Sequence, residues 1–172
     1  MKAKMLFHLI ILFFTLAGGV SNIHAGIPVN YASYLGGSGN DSAQAVAVAP
    51  DGCIWVCGYT LSADFPLVKA LDSTLGGSLD GFVSKFSPDG RTLLFSTYIG
   101  GSSDDHAMGI AVDAEGNAYI CGRTDSADFP TLNAFQPARS GFWTDMFICK
   151  LNASGTMIYS SYLGGHDVRL RL

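Results

Sequence analysis

The stretch VAVAPDGCIWVCGYTLSADFP, Val46 to Pro66, returns as IAVDAEGNAYICGRTDSADFP, Ile110 to Pro130, 64 residues later and without a gap. Its last five letters are unchanged, Ser62-Ala63-Asp64-Phe65-Pro66 becoming Ser126-Ala127-Asp128-Phe129-Pro130. A second element keeps the same period and occurs three times, as Tyr34-Leu35-Gly36-Gly37, Tyr98-Ile99-Gly100-Gly101 and Tyr162-Leu163-Gly164-Gly165. Self-similarity at a fixed spacing of this length marks a repeat architecture, in which each unit buries its apolar face against the next. A third element, Asp80-Gly81-Phe82-Val83-Ser84-Lys85-Phe86, answers to Asp145-Met146-Phe147-Ile148-Cys149-Lys150-Leu151, displaced by one residue that loop length absorbs.

Each unit reads as four short strands separated by turn chemistry. Ala43 to Ala49 and Gly109 to Val112 are small and β-branched; the turns Pro50-Asp51-Gly52 and Glu115-Gly116-Asn117 lead into Ile54 to Gly58 and Ala118 to Gly122. Beyond the Asp-Phe-Pro loop come Phe82 to Phe86 and Phe147 to Leu151. The turns Pro88-Asp89-Gly90 and Asn152 to Gly155 follow, then Thr92 to Tyr98 and Met157 to Tyr162. The expected fold is all-β: two four-stranded antiparallel propeller-type blades, an incomplete β-propeller, after an N-terminal signal helix. The repeats run over about 36–99 and 100–163.

In combination these elements resemble the bacterial β-propeller repeat called SBBP. The carriers are Tyr-Leu-Gly-Gly, the aliphatic-Ala-Val-Asp-x-x-Gly-Asn hairpin ending in Cys-Gly, the Ser-Ala-Asp-Phe-Pro loop with Phe135-Gln136 after it, and the Asp-x-Phe strand with its Ser-Pro-Asp-Gly turn. The resemblance covers nearly all of residues 31–165 and implies a propeller blade in an exported or cell-surface protein. The first copy departs from it at Leu67 to Leu71, where the second has Thr131-Leu132-Asn133-Ala134-Phe135-Gln136.

The N-terminus agrees with export. Lys2 and Lys4 precede an apolar run from Met5 to Ala17, and small residues follow to Ala25, so residues 1–25 read as a signal peptide cleaved to leave Gly26 first. The run is shorter than the roughly 20 apolar residues a membrane span needs, and no second one follows. Lys2 and Lys4 leave with the signal and no acid does, which takes the net charge from −4 to −6 over residues 26–172. Nucleic acid and anionic membranes are poor partners for such a chain.

The ends depart from the repeat. Tyr31-Ala32-Ser33-Tyr34 matches Phe95 to Tyr98 and Tyr159 to Tyr162, giving an orphan fourth strand over 29–35, and the tail 166–172 leaves the pattern. A truncated reading frame is one expectation from this. A two-blade chain is also expected to expose sheet edges and blade faces, and therefore to be marginally stable and to self-associate.

Chemistry-bearing residues are sparse. His106 and His166 stand where the other copies have Ser42 and Ser102, with no nucleophile elbow nearby, and both read as surface-loop residues. Cys53, Cys57, Cys121 and Cys149 could form disulfides in an exported chain, but Cys53 and Cys57 lie about 13 Å apart along one strand, too far to bridge. Buried, unpaired thiols are the simpler reading, and no Cys-x-x-Cys pair suggests zinc. The oxygen-bearing residues Asn40-Asp41, Asp104-Asp105, Asp64 and Asp128 could attract calcium, yet their spacing matches no EF-hand or nonapeptide array, and capping of backbone turns is the plainer role. Phe65-Pro66 and Phe129-Pro130 are expected to pin their loops to the blade. Tyr34, Tyr98 and Tyr162, with Trp55 and Trp143, are expected to pack between blades rather than to stack sugars. Asn152-Ala153-Ser154 matches a glycosylation acceptor but sits in a turn.

No catalytic, cofactor or metal residue is therefore assigned. The expectation is a non-enzymatic exported scaffold or binding module at the cell surface, taking a protein or carbohydrate ligand. The alternatives are a remnant without independent function and part of a propeller enzyme whose catalytic loops lie elsewhere.

Overall fold

The computed structural model describes residues 31–141 and 144–165. Contacts divide the chain into two units, Met1–Leu35 and Gly36–Leu172. In the first, residues 31–35 belong to no sheet, and Tyr34 is 73% exposed. The signal segment with its expected helix, residues 29 and 30, Trp143, His166 and the rest of the tail lie outside the described residues.

The second unit is built from eight strands: β1 Asp41–Val48, β2 Ile54–Thr60, β3 Asp80–Phe86, β4 Leu93–Ile99, β5 Asp105–Val112, β6 Ala118–Thr124, β7 Asp145–Leu151 and β8 Met157–Leu163. They form two four-stranded antiparallel sheets, each in chain order, and the two do not close on one another. No helix occurs among the described residues, so none there is long and apolar enough to cross a membrane.

Local chemistry accounts for the meander. The β1–β2 and β5–β6 hairpins turn through Gly52 and Gly116, at φ of 81° and 82°, where a side chain would be strained. Their N–H groups donate to the carbonyls of Ala49 and Asp113, closing the turns. Every first strand carries a bulge, one residue being left over between Ala43 and Ala45 and between Ala107 and Gly109. The surplus residue in the second copy, Met108, points outward and is 55% exposed. The bulge restores Val46 and Ile110 to the face of Ala43 and Ala107, a shift that strict alternation along the sequence does not contain.

Most strands are also longer than their apolar runs. β1 and β5 begin at Asp41 and Asp105, β2 and β6 continue to Thr60 and Thr124, and β3 and β7 begin at Asp80 and Asp145. These residues pair across the ladder, Asp41 with Thr60 and Thr60 with Asp80, then Asp105 with Thr124 and Thr124 with Asp145. Each blade thus ends in a row of acid, hydroxyl and acid.

The blades stack face to face, with β5 lying on β1, β2 and β3. Trp55, Cys57, Val83, Phe95 and Ile99 of blade 1 form one core with Ala107, Ala118, Ile120, Cys149 and Leu151 of blade 2. Trp55 is fully buried, with the Lys85 ammonium 5.2 Å from its ring centroid. The Lys85 Nζ reaches across to donate to the Ala153 carbonyl at 2.8 Å, and Tyr59 meets His106 edge-on at 4.7 Å. Burying each large apolar side chain here is worth about 1.5–3 kcal/mol, so this junction is the main source of cohesion between the blades.

Candidate functional site

The repeated motifs converge at one end of each blade. In blade 1 the Asp41 carboxylate accepts hydrogen bonds from the Gly37 N–H at 2.9 Å, from the Ser62 hydroxyl at 3.0 Å and from the Thr60 hydroxyl. Asp64 accepts from the N–H and hydroxyl of Ser38 at 2.7 and 2.9 Å, while the Ser62 oxygen accepts the Gly39 N–H at 2.8 Å. Blade 2 repeats the pattern. Asp105 accepts from Gly101 and Ser126, each at 2.7 Å, Asp128 accepts twice from Ser102, and Ser126 accepts the Ser103 N–H at 2.9 Å.

The Ser-Ala-Asp-Phe-Pro loop therefore clamps the Gly-Gly turn that leads into the first strand. A side chain at the second glycine of that turn is excluded, because a Cβ on Gly37 or Gly101 would lie 2.3 or 2.5 Å from the clamping Asp64 or Asp128 oxygen. The tyrosine of the same repeat holds the loop from below. Tyr98 donates to the Ser62 carbonyl at 2.6 Å and Tyr162 to the Ser126 carbonyl at 2.9 Å, both rings being 1% exposed. Phe65 lies 4.6 Å from Phe82, and Phe129 lies 4.4 Å from Phe147, so the Phe-Pro pairs do pin their loops. The tyrosines differ from expectation: Tyr98 and Tyr162 each fasten the loop of their own blade, because the hydroxyl finds a carbonyl there, and Tyr34 is exposed.

The acids of the clamp are occupied by their own loops. Asp64 and Asp128 are held below the usual carboxylate range by the N–H groups of Ser38 and Ser102. Asp113 is held at about 2, chiefly by the Asn117 side chain. Among the described residues no group of three or more His, Cys, Asp or Glu is placed to hold a metal. Asn152 accepts from the Ser154 and Thr156 N–H groups, which closes its turn.

One feature escaped the sequence reading. Asp80 and Asp105, from different blades, flank Gly100: a Cβ there would come within 2.7 Å of the Asp80 carboxyl carbon and 2.8 Å of an Asp105 oxygen. Burial pushes Asp80 up to about 6, against the N–H groups of Gly76 and Gly77 that lower it, and burial likewise raises Asp105. A raised acid pair is a frequent catalytic device, but here both residues are at most 1% exposed and lie under loop backbone. The signal in the sequence was, for Asp80, the acid heading the first Asp-x-Phe strand and, for Asp105, the acidic pair Asp104-Asp105 after the Gly-Gly turn.

Two single residues, His106 and Cys121, differ from expectation. His106 is no surface-loop residue; it lies part-buried on β5, with Nε2 2.8 Å from an Arg123 guanidinium nitrogen. Burial, then the Arg123 charge, lowers its pKa. Of the thiols, Cys53, Cys57 and Cys149 are buried and unpaired, burial raising Cys57 and Cys149 to about 12, whereas Cys121 is exposed.

At the loop end an open, polar groove of about 570 Å³ runs where the blades meet, lined by Gly76, Gly77, Ser78, Ser102, Ser103, Asp104 and Asp125. Neither the buried acid pair nor His106 lines it.

Stacked four-stranded antiparallel meanders, locked turn to loop at each repeat boundary, define a β-propeller-type repeat protein. Residues 94–130 match the family model for SBBP, described as a beta-propeller repeat, which places such a repeat in this chain. The match runs from β4 through the Gly-Gly turn, β5 and β6 to the second Ser-Ala-Asp-Phe-Pro loop. No curated protein matches the chain.

Proposed function

We propose that the chain is an exported, non-enzymatic repeat protein that serves as a scaffold or binding module at the cell surface. The observation that carries this reading is the use of the repeated polar residues. Asp41, Ser62 and Asp64, with their counterparts Asp105, Ser126 and Asp128, hold each other and their turns. The motif is a structural clamp, with no hydroxyl of it placed beside a histidine base. The open groove, walled by loop backbone, three serines and the carboxylates of Asp104 and Asp125, suits a hydroxyl-rich carbohydrate or an extended protein segment.

Export is supported by the order of charged, apolar and small residues in the first 25 positions. The test is to express the full chain, fractionate the culture and determine the N-terminal residue of each fraction. A processed chain starting at Gly26 outside the cytoplasm is expected. Intact chain confined to the cytoplasm overturns the reading.

A further inference from the structure

The two copies of the repeat use the same sheet face differently. On blade 1 the face carrying Trp55, Cys57, Val83 and Ile99 is covered by blade 2, and these side chains are at most 2% exposed. At the equivalent positions of blade 2, Tyr119 is 37% exposed, Leu163 is 47% exposed, Cys121 is exposed and Ile148 is half-buried. The opposite face repeats the contrast. Ala107 of β5 is buried against blade 1 and Ile110 and Val112 are half-buried, whereas their counterparts on β1, Ala43, Val46 and Val48, are exposed, the two valines at 41% and 48%.

We propose that a second copy of this chain docks head to tail, its β1 face lying on the open face of blade 2 in the geometry with which β5 lies on blade 1. The internal junction supplies the template, and its polar contacts have counterparts. Lys85 reaches the Ala153 carbonyl in the turn of the following blade. Lys150, which already keeps an ion pair with Asp113 just as Lys85 does with Asp51, would reach Pro88 of the second copy. There it meets the ionised Asp89, so the charges are complementary. Phe95 lies against Gly155, whose Cβ would come 2.4 Å from its ring; the counterparts are Tyr159 and Gly90. Such a contact joins two different surfaces, so it propagates or closes into a ring rather than stopping at a two-fold dimer.

One position breaks the likeness. Gly81 lets the Ala107 backbone approach, a Cβ there lying 3.1 Å from the Ala107 nitrogen, and blade 2 has Met146 instead. The flexible thioether must turn aside at a junction between copies, which weakens it relative to the internal one.

Sedimentation of the full chain over a range of concentrations, with Cys121 labelling by a thiol reagent in parallel, tests the proposal. The wild type should associate with rising concentration while Cys121, exposed in the single copy, becomes protected. Val48→Glu on the β1 face and Tyr119→Glu on the open face should each weaken association on the order of 100-fold. Met146→Gly should tighten it roughly tenfold. An equimolar mixture of the two Glu variants should form a dimer through the one junction left intact. Melting curves establish that the variants are folded. Association unaffected by either Glu variant, as the apolar N-terminal segment would produce, overturns the proposal. So does association by one variant alone that mixing does not change, or the lack of any association with Cys121 always reactive.

Discussion

Removing one hydroxyl from the clamp should cost more in blade 2 than in blade 1. Ser126 is fully buried, donates to the Asp105 carboxylate at 2.7 Å and accepts the Ser103 N–H at 2.9 Å. Ser126→Ala removes a hydrogen bond to a charged acceptor, worth about 1.5–3 kcal/mol, and leaves an N–H short of a partner, worth about 1 more. A loss of about 3 kcal/mol is expected, on the order of 10 °C in melting temperature for a chain of this size. Ser62→Ala removes the same kind of bonds to Asp41 and Gly39, but Asp41 is only half-buried and water can replace the lost donor. About half the loss is expected there. Urea unfolding of both variants measures the difference. Equal losses, or a loss below about 0.5 kcal/mol for Ser126→Ala, would refute the reasoning that burial of the clamp acid sets the cost.

Acidification should first stabilise the fold. Asp80 holds its carboxyl at about 6 through burial, and Asp105 is raised for the same reason; a folded value above the unfolded one gives a contribution complete below about pH 4 and lost as pH rises through about 6. Melting temperature should therefore climb from about pH 8 to about pH 5, Asp80 accounting for up to about 3 kcal/mol. It should fall below about pH 4 as Asp113, Asp64 and Asp128, whose values are lowered, take up protons; Asp80→Asn should flatten the climb, and a steady fall from neutral pH downward would contradict the assignment. Gly122→Ala places a Cβ 1.9 Å from the His106 carbonyl oxygen and should cost more than about 4 kcal/mol by circular dichroism melts, while Gly165→Ala, with nothing within 4 Å, should leave stability unchanged. In the dilute native protein Cys121 alone should react promptly with a thiol reagent, the three buried thiols following only on unfolding.

The sequence made the blades legible because period and turn chemistry act locally. The 64-residue repeat placed the two sheets, and the glycines at positions 52, 116, 90 and 155 marked the hairpin corners. Strand ends were harder to read. Asp disfavours strands in isolation, and each row carries two, so Asp41–Thr60–Asp80 and Asp105–Thr124–Asp145 look like loop until the clamp that satisfies the acids is known. The bulges hid for a related reason, since the extra residue is fixed by ladder pairing and leaves no distinctive letter. His106 read as loop because its counterpart is Ser42, whereas its place is set by Tyr59 of the neighbouring blade. The different fates of Trp55 and Tyr119 could not be read at all, because burial of a blade face depends on whether a neighbour covers it.

The clamped repeats stack blade on blade, with β5 laid across the sheet of blade 1. Nuclear Overhauser contacts between the rings of Tyr59 and His106, 4.7 Å apart, and between Gly81 and Ala107 measure that stacking directly. Both contacts are expected together with the eight-strand ladder. The ladder without either contact would show two meanders that do not pack, and would contradict the stacking.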